Sequence, residues 1–246
     1  MPKLETDAPA QKIEIVRAFL KRLDGFKSRE GESIPLLGQF LARFAAERSN
    51  LQRKEQSWQM AKAPNFNIFR ALGLQRRESK HSRFLAELLD PRGSHAQGDR
   101  FLTAFLCLAR EFGLHCPSEW PVEPKKNWEI TTEEVVSESD RLDIVLRCRR
   151  ARFMMVIENK IDAPEGYKQL LRYENWLQKQ KAEFDFRNLV FLAPDVRQPR
   201  TISTAKCLCL SYREHVSDWL RSMIGEIQAP PLQFAISQYL QVLDSF

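Results

Sequence analysis

Residues 139–160, SDRLDIVLRCRRARFMMVIENK, constrain this chain more than any other stretch. Residues 142–146 and 153–160 are two apolar, β-branched-rich arms around an Arg-rich middle, the pattern of a β-hairpin whose turn lies in solvent. Side chains at i and i+2 of a strand share a face. Glu158 and Lys160 therefore point one way and Asn159 the other. With the turn centred near Arg149 and Arg150, Asp143 comes close to the level of Glu158. Two carboxylates and an amine then converge at the end of a strand too apolar to be a solvated edge.

Two carboxylates in one desolvated patch repel, and one tends to take up a proton. A divalent cation removes that conflict, and hard carboxylate oxygens suit Mg²⁺ or Mn²⁺. Such a cation activates water or steadies the charge that develops in phosphodiester hydrolysis. Lys160 is placed to orient the attacking water or to stabilise a phosphate oxygen. An E-x-K pair on a strand is by itself most often a surface ion pair. The order Asp, apolar arm, Glu-x-Lys carries the stronger reading.

That order resembles the PD-(D/E)XK nuclease superfamily, with Asp143 as its aspartate and Glu158 and Lys160 as its E-x-K. Leu142 stands where the superfamily name has a proline. Gln169-Leu170-Leu171-Arg172-Tyr173 resembles the Q-x-x-x-Y motif of exonuclease-type members. Upstream, Asn67-Ile68-Phe69, Leu72-Gly73-Leu74, Glu78, His81-Ser82, Phe84-Leu85, Leu88-Leu89-Asp90-Pro91 and Ser94-His95 resemble a bacterial branch with a helix glutamate before a His-Ser pair. The resemblance covers roughly residues 65–194. It implies an α/β, restriction-endonuclease-like core (helix, three-stranded mixed sheet, helix, strand). It also implies metal-dependent hydrolysis of phosphodiesters, most naturally in DNA, by Glu78, Asp143, Glu158, Lys160, Gln169 and Tyr173. Asp143 and Glu158 would hold Mg²⁺ or Mn²⁺, with Glu78 completing the acidic cluster directly or through water. His81 would support that site or sit as a core histidine. The alternative function is a catalytically silent nucleic-acid-binding or partner-docking component of a defence or mobile-element system. The intact Asp, Glu, Lys set favours the enzyme.

Composition bounds the rest. The chain has 246 residues, a net charge of +6 and 43% hydrophobic residues, which suits a folded domain with an extension and an anionic partner. No apolar run approaches a membrane span, and the first residues lack the apolar core of a signal peptide. Cys107, Cys116, Cys148, Cys207 and Cys209 make no C-x-x-C, which argues for reduced thiols in a cytosol. Their spacing from His81, His95 and His115 matches no zinc pattern.

Two domains are expected: a helical extension over residues 1–64 and the nuclease-like domain over 65–246. Residues 10–26 place Ile13, Val16, Phe19, Leu20 and Leu23 on one helical stripe, and residues 35–60 form a second helical run. Together these helices offer a DNA-facing surface, a homodimer contact or a site for a protein partner, against the plainer reading of a solvated face. A helix over 76–89 puts Glu78 and His81 on one side. Arg76, Arg77, Lys80 and Arg83 surround Glu78 as candidate phosphate contacts, and Arg172 adds charge near the later motif.

Residues 128–136 read as the first strand. Asp140 is a rival to Asp143 as a metal ligand but starts outside the apolar arm. The tip arginines 147, 149, 150 and 152 read equally as a phosphate clamp or a solvated turn. A helix is expected over 165–181, with Gln169 and Tyr173 on one face, Gln169 holding water or phosphate and Tyr173 stacking or hydrogen-bonding. Strands follow over 188–193 and 206–212, then helices over 213–227 and 232–243 with Pro230-Pro231 between them.

Overall fold

A computed structural model describes residues 33–117, 125–138 and 140–246, together with Arg17, Ala18 and Lys21. The helix expected over residues 10–26 lies almost wholly outside them. The chain divides into two units, one ending at Phe66 and one running Asn67–Phe246. In the first, helix α1 spans Ser33–Lys62, with Pro35 in its opening turn, a position that tolerates the missing N–H. Its exposed side chains include Leu41, Leu51 and Trp58.

The second unit is a five-stranded sheet between helices. Its order is α2 (Ile68–Ala71), α3 (Glu78–Leu89), α4 (Arg100–Glu111), β1 (Trp128–Val135), β2 (Arg141–Cys148), β3 (Phe153–Asn159), α5 (Gln169–Lys179), β4 (Phe186–Ala193), β5 (Leu208–Ser211), α6 (Ser217–Ile224) and α7 (Pro230–Leu243). The strands lie in sequence order; β1, β2 and β3 pair antiparallel, and β3, β4 and β5 pair parallel. This is the mixed α/β, restriction-endonuclease-like architecture expected from the sequence.

Every residue of β3 is buried, because the strand is central and both its faces are covered. On one face Phe153, Met155 and Ile157 join the larger core with α3, α4, α6 and α7. On the other, Met154 and Val156 pack with Leu170, Tyr173 and Leu177 of α5. The first and last helices of the unit are tied together. Asn67 caps α2 by accepting from Arg70 N at 3.2 Å, and its Nδ2 donates to the Gln238 carbonyl in α7 at 2.7 Å.

Three boundaries differ from expectation. Residues 165–168 are loop, because Lys168 takes a left-handed backbone, φ +48°, that cannot be helical. Pro230 and Pro231 open α7 and do not separate two helices, as the first turn needs no N–H from either. A π-helical turn, Tyr212–Val216, precedes α6. Among the described residues no helix is long and apolar enough to cross a membrane.

Candidate active site

The hairpin register builds the site. Ile144 faces Ile157 across β2 and β3, so the next level brings Asp143 against Glu158 on one face of the sheet. Asp143 Oδ2 accepts the Asn159 backbone N–H at 2.8 Å. Lys160 follows β3, and its N–H extends the ladder to the Leu192 carbonyl of β4 at 2.8 Å. Its ammonium lies 3.0 Å from Glu158 Oε1 and 3.8 Å from Glu78 Oε2. The sequence-predicted Asp143, Glu158, Lys160 and Glu78 thus meet at the carboxyl end of β3.

Glu78 enters from the first turn of α3. Its Oε1 accepts the backbone N–H groups of Ile161 at 2.8 Å and Ala163 at 3.3 Å. It therefore fastens the segment after Lys160 to the helix. Asn159, on the opposite face of β3 from Glu158, returns the link. Its Nδ2 donates to the Glu78 carbonyl at 2.9 Å and to Ser82 Oγ at 3.3 Å, while Ser82 Oγ donates to the same carbonyl at 3.0 Å. An Asn in an otherwise apolar buried strand signals such a role, because buried amides need partners.

From α5, Gln169 Nε2 donates to Glu158 Oε1 at 2.8 Å and to the Tyr173 hydroxyl at 2.9 Å. Tyr173 in turn donates to the Arg141 carbonyl at 2.7 Å. It is buried, so of the two roles read from sequence it hydrogen-bonds and does not stack. Asp140, the rival metal ligand, is taken by Arg172, whose Nε and Nη2 reach it at 2.9 and 2.8 Å. The same contact commits the Arg172 guanidinium, expected to meet nucleic acid, and holds the Asp140 carboxyl below its ordinary range.

Burial, and then the neighbouring Asp143, push the Glu158 carboxyl up to about 8. Burial also lifts Asp143 to about 6; the Asn159 N–H and Lys160 oppose this, and Glu133 and Glu78 add to it. Burial works against the Lys160 ammonium, but the adjacent carboxylates, Glu158 first, outweigh it and raise the group above its ordinary value. Glu133 holds a left-handed backbone, φ +55°, at the level of Asp143 in edge strand β1. Strain of that kind in a non-glycine residue concentrates near working sites.

A hard divalent cation fits this chemistry. Glu158 is 1% exposed, and its Oε2 has no hydrogen-bond partner, whereas Oε1 has two. A bare, buried carboxylate oxygen beside a second carboxylate is costly without a positive charge. Among the described residues no three His, Cys, Asp or Glu side chains gather as a ligand set. The shell would therefore combine Asp143 and Glu158 with water, as Mg²⁺ prefers.

Arg76, Arg77, Lys80 and Arg83 are exposed at and along the start of α3. Arg76 lies 3.4 Å from Asp162. The sequence reading passed over Arg197 and Arg200, on the loop after β4. Arg197 Nη2 lies 3.4 Å from the Lys160 carbonyl, and Glu165 accepts the N–H groups of Arg200 and Thr201 at 2.6 and 3.1 Å. Their position past the carboxyl end of a parallel strand was the available signal. The tip arginines sit at the other end of the hairpin. Arg147, Arg149 and Arg152 pair with Glu134, Glu183 and Asp185, away from the carboxylates.

His81 is a buried structural link. Its Nε2 faces the Gln75 carbonyl at 3.1 Å and must donate, so Nδ1 accepts from the Tyr239 hydroxyl at 2.8 Å. Burial lowers it to about 4, and nearby Arg76 adds to the effect. His95 orders its turn in the same way, between the Asp90 carbonyl and the Gln97 N–H.

A family model described as PD-(D/E)XK nuclease superfamily matches residues 66–241. No curated protein and no solved structure matches the chain.

Proposed function

Because this chain belongs to the PD-(D/E)XK nuclease superfamily, we propose that it hydrolyses phosphodiester bonds in DNA with the help of Mg²⁺ or Mn²⁺. The observation that carries this reading is the convergence of Asp143, Glu158 and Lys160, with the ammonium 3.0 Å from Glu158 Oε1. A bound divalent cation would activate water and neutralise charge on the phosphate. Asp143 and Glu158 would hold it. Gln169 occupies Glu158 Oε1, so Oε2 would remain available to a bound cation. Lys160 orients the nucleophile or donates to a phosphate oxygen as charge develops. Glu78 keeps the strand end and the following loop in register and adds negative charge beside Lys160.

Arg76, Arg77, Lys80, Arg83, Arg197 and Arg200 form the phosphate-contacting rim, and the net charge of +6 supports an anionic partner. All five cysteines are free thiols, which supports a reducing, cytoplasmic compartment. Exposed Leu41, Leu51 and Trp58 on α1 support a second copy or another protein as a docking partner there.

Incubation with supercoiled plasmid and linear duplex tests the activity, with Mg²⁺, Mn²⁺ or EDTA and beside Asp143→Ala and Lys160→Ala. Metal-dependent loss of DNA that vanishes in both variants is the expected result. Full activity in either variant would refute the site, and salt-sensitive binding without cutting would leave a binding module.

A further inference from the structure

We propose that Tyr167 is a base-stacking platform that gives this enzyme a preference for an unpaired DNA strand at the scissile bond, an inference that rests on the nuclease reading above. Tyr167 is 80% exposed, more than any other large apolar or aromatic side chain described in its unit. An aromatic ring left in water usually belongs to a loop without fixed neighbours. Here the peptide groups on both sides of the ring are fastened to the site.

On one side, the Gly166 N–H donates to Gln169 Oε1 at 3.0 Å, and Gln169 Nε2 donates to Glu158 Oε1 at 2.8 Å. On the other, the Tyr167 carbonyl accepts from Arg172 Nη1, and Arg172 is held by Asp140. The left-handed backbone at Lys168 turns the chain into α5 immediately after the ring. Tyr167 therefore stands two hydrogen bonds from the carboxylate of Glu158, on a backbone held by the side chains of Gln169 and Arg172.

The ring's surroundings point to a nucleobase. The Lys168 ammonium lies over one face of the ring, 5.2 Å from its centroid, and the ring is still 80% exposed. Stacking on aromatics flanked by positive charge is how unpaired strands are bound without sequence readout. Bases in an intact duplex have their faces covered by neighbours, so a fixed ring at the site can reach only a base that is already unpaired or flipped out.

The full chain in EDTA, where binding is read without cutting, tests this. Fluorescence anisotropy compares a single-stranded oligonucleotide with its duplex, and a fluorescent adenine analogue in the single strand reports stacking. Tyr167→Ala should weaken single-strand binding by about tenfold, leave duplex binding unchanged and abolish quenching of the analogue. Tyr167→Trp should retain all three. Unchanged single-strand binding in Tyr167→Ala, or equal losses on both substrates, overturns the proposal; unchanged melting of the variant shows that the fold is not the cause. Wild type that cuts DNA through Lys160, with no effect of Tyr167→Ala on strand preference, overturns this inference alone. Wild type that neither binds nor cuts DNA overturns the nuclease reading with it.

Discussion

Gln169 and Glu158 are joined by a 2.8 Å hydrogen bond between α5 and β3, and the bond uses only Oε1. The amide therefore decides which carboxylate oxygen stays bare. Partners that orient a metal ligand are typically worth about 10–100-fold in metal affinity or activity. Gln169→Ala is expected to lower activity and Mn²⁺ affinity in that range while duplex DNA binding in EDTA is kept. Isothermal titration and steady-state cleavage separate the two.

Glu158 and Asp143 oppose the metal-free fold at neutral pH. The folded Glu158 carboxyl is raised to about 8 from an ordinary 4.5. The native state thus keeps a proton that the unfolded chain gives up, and stability falls as pH rises through that window. In EDTA, wild type should lose stability from pH 5 to pH 8 relative to Glu158→Gln. That variant should melt higher at pH 8 and have no activity. A thermal-melting series in pH, with and without Mg²⁺, checks both points; the cation should stabilise only the wild type.

His81 acts in the opposite sense. Its folded value of about 4 lies below the ordinary 6.5, because the buried ring stays neutral. Below pH 6.5 the unfolded chain gains a proton that the native chain refuses, so stability falls with falling pH. At about 1.4 kcal/mol per pH unit the loss approaches about 3 kcal/mol by pH 4. His81→Gln, which can still accept from Tyr239 and donate to Gln75, should flatten this acid limb in urea unfolding.

Asn159 joins β3 to α3, the helix of Glu78, through its side-chain amide. Asn159→Ala leaves the buried Glu78 carbonyl and Ser82 hydroxyl with fewer partners, at a cost of about 1–3 kcal/mol. Activity should fall further than stability, because Glu78 loses its seat. Denaturant midpoints measured beside cleavage rates test that split.

Local pattern carried most of the fold. Two apolar, β-branched-rich arms and the Arg-rich turn between them located β2 and β3 closely enough to align Asp143 with Glu158, since a hairpin's register follows from its turn. Partners distant in sequence were not legible. Arg172 reads as a free cation until the fold brings Asp140, 32 residues away, against it. Tyr173 reads as free to stack or to hydrogen-bond because helical spacing gives a face but not what covers that face. The start of α5 was misplaced because Lys168 adopts a left-handed backbone for which lysine gives no signal.

The helix that carries Glu78 is held in place by residues made long after it. Tyr239 of α7 bonds His81, and the Gln238 carbonyl receives Asn67. Chains leave the ribosome N-terminus first and fold as they emerge. A nascent chain therefore exposes Asp143, Glu158 and Lys160 before α7 can brace the helix of Glu78 through His81. The proposed site therefore gains its last brace only after Pro230–Leu243 has emerged. A chain stalled on the ribosome before residue 230 should carry every side chain of the proposed site and yet cut DNA more slowly than the released protein.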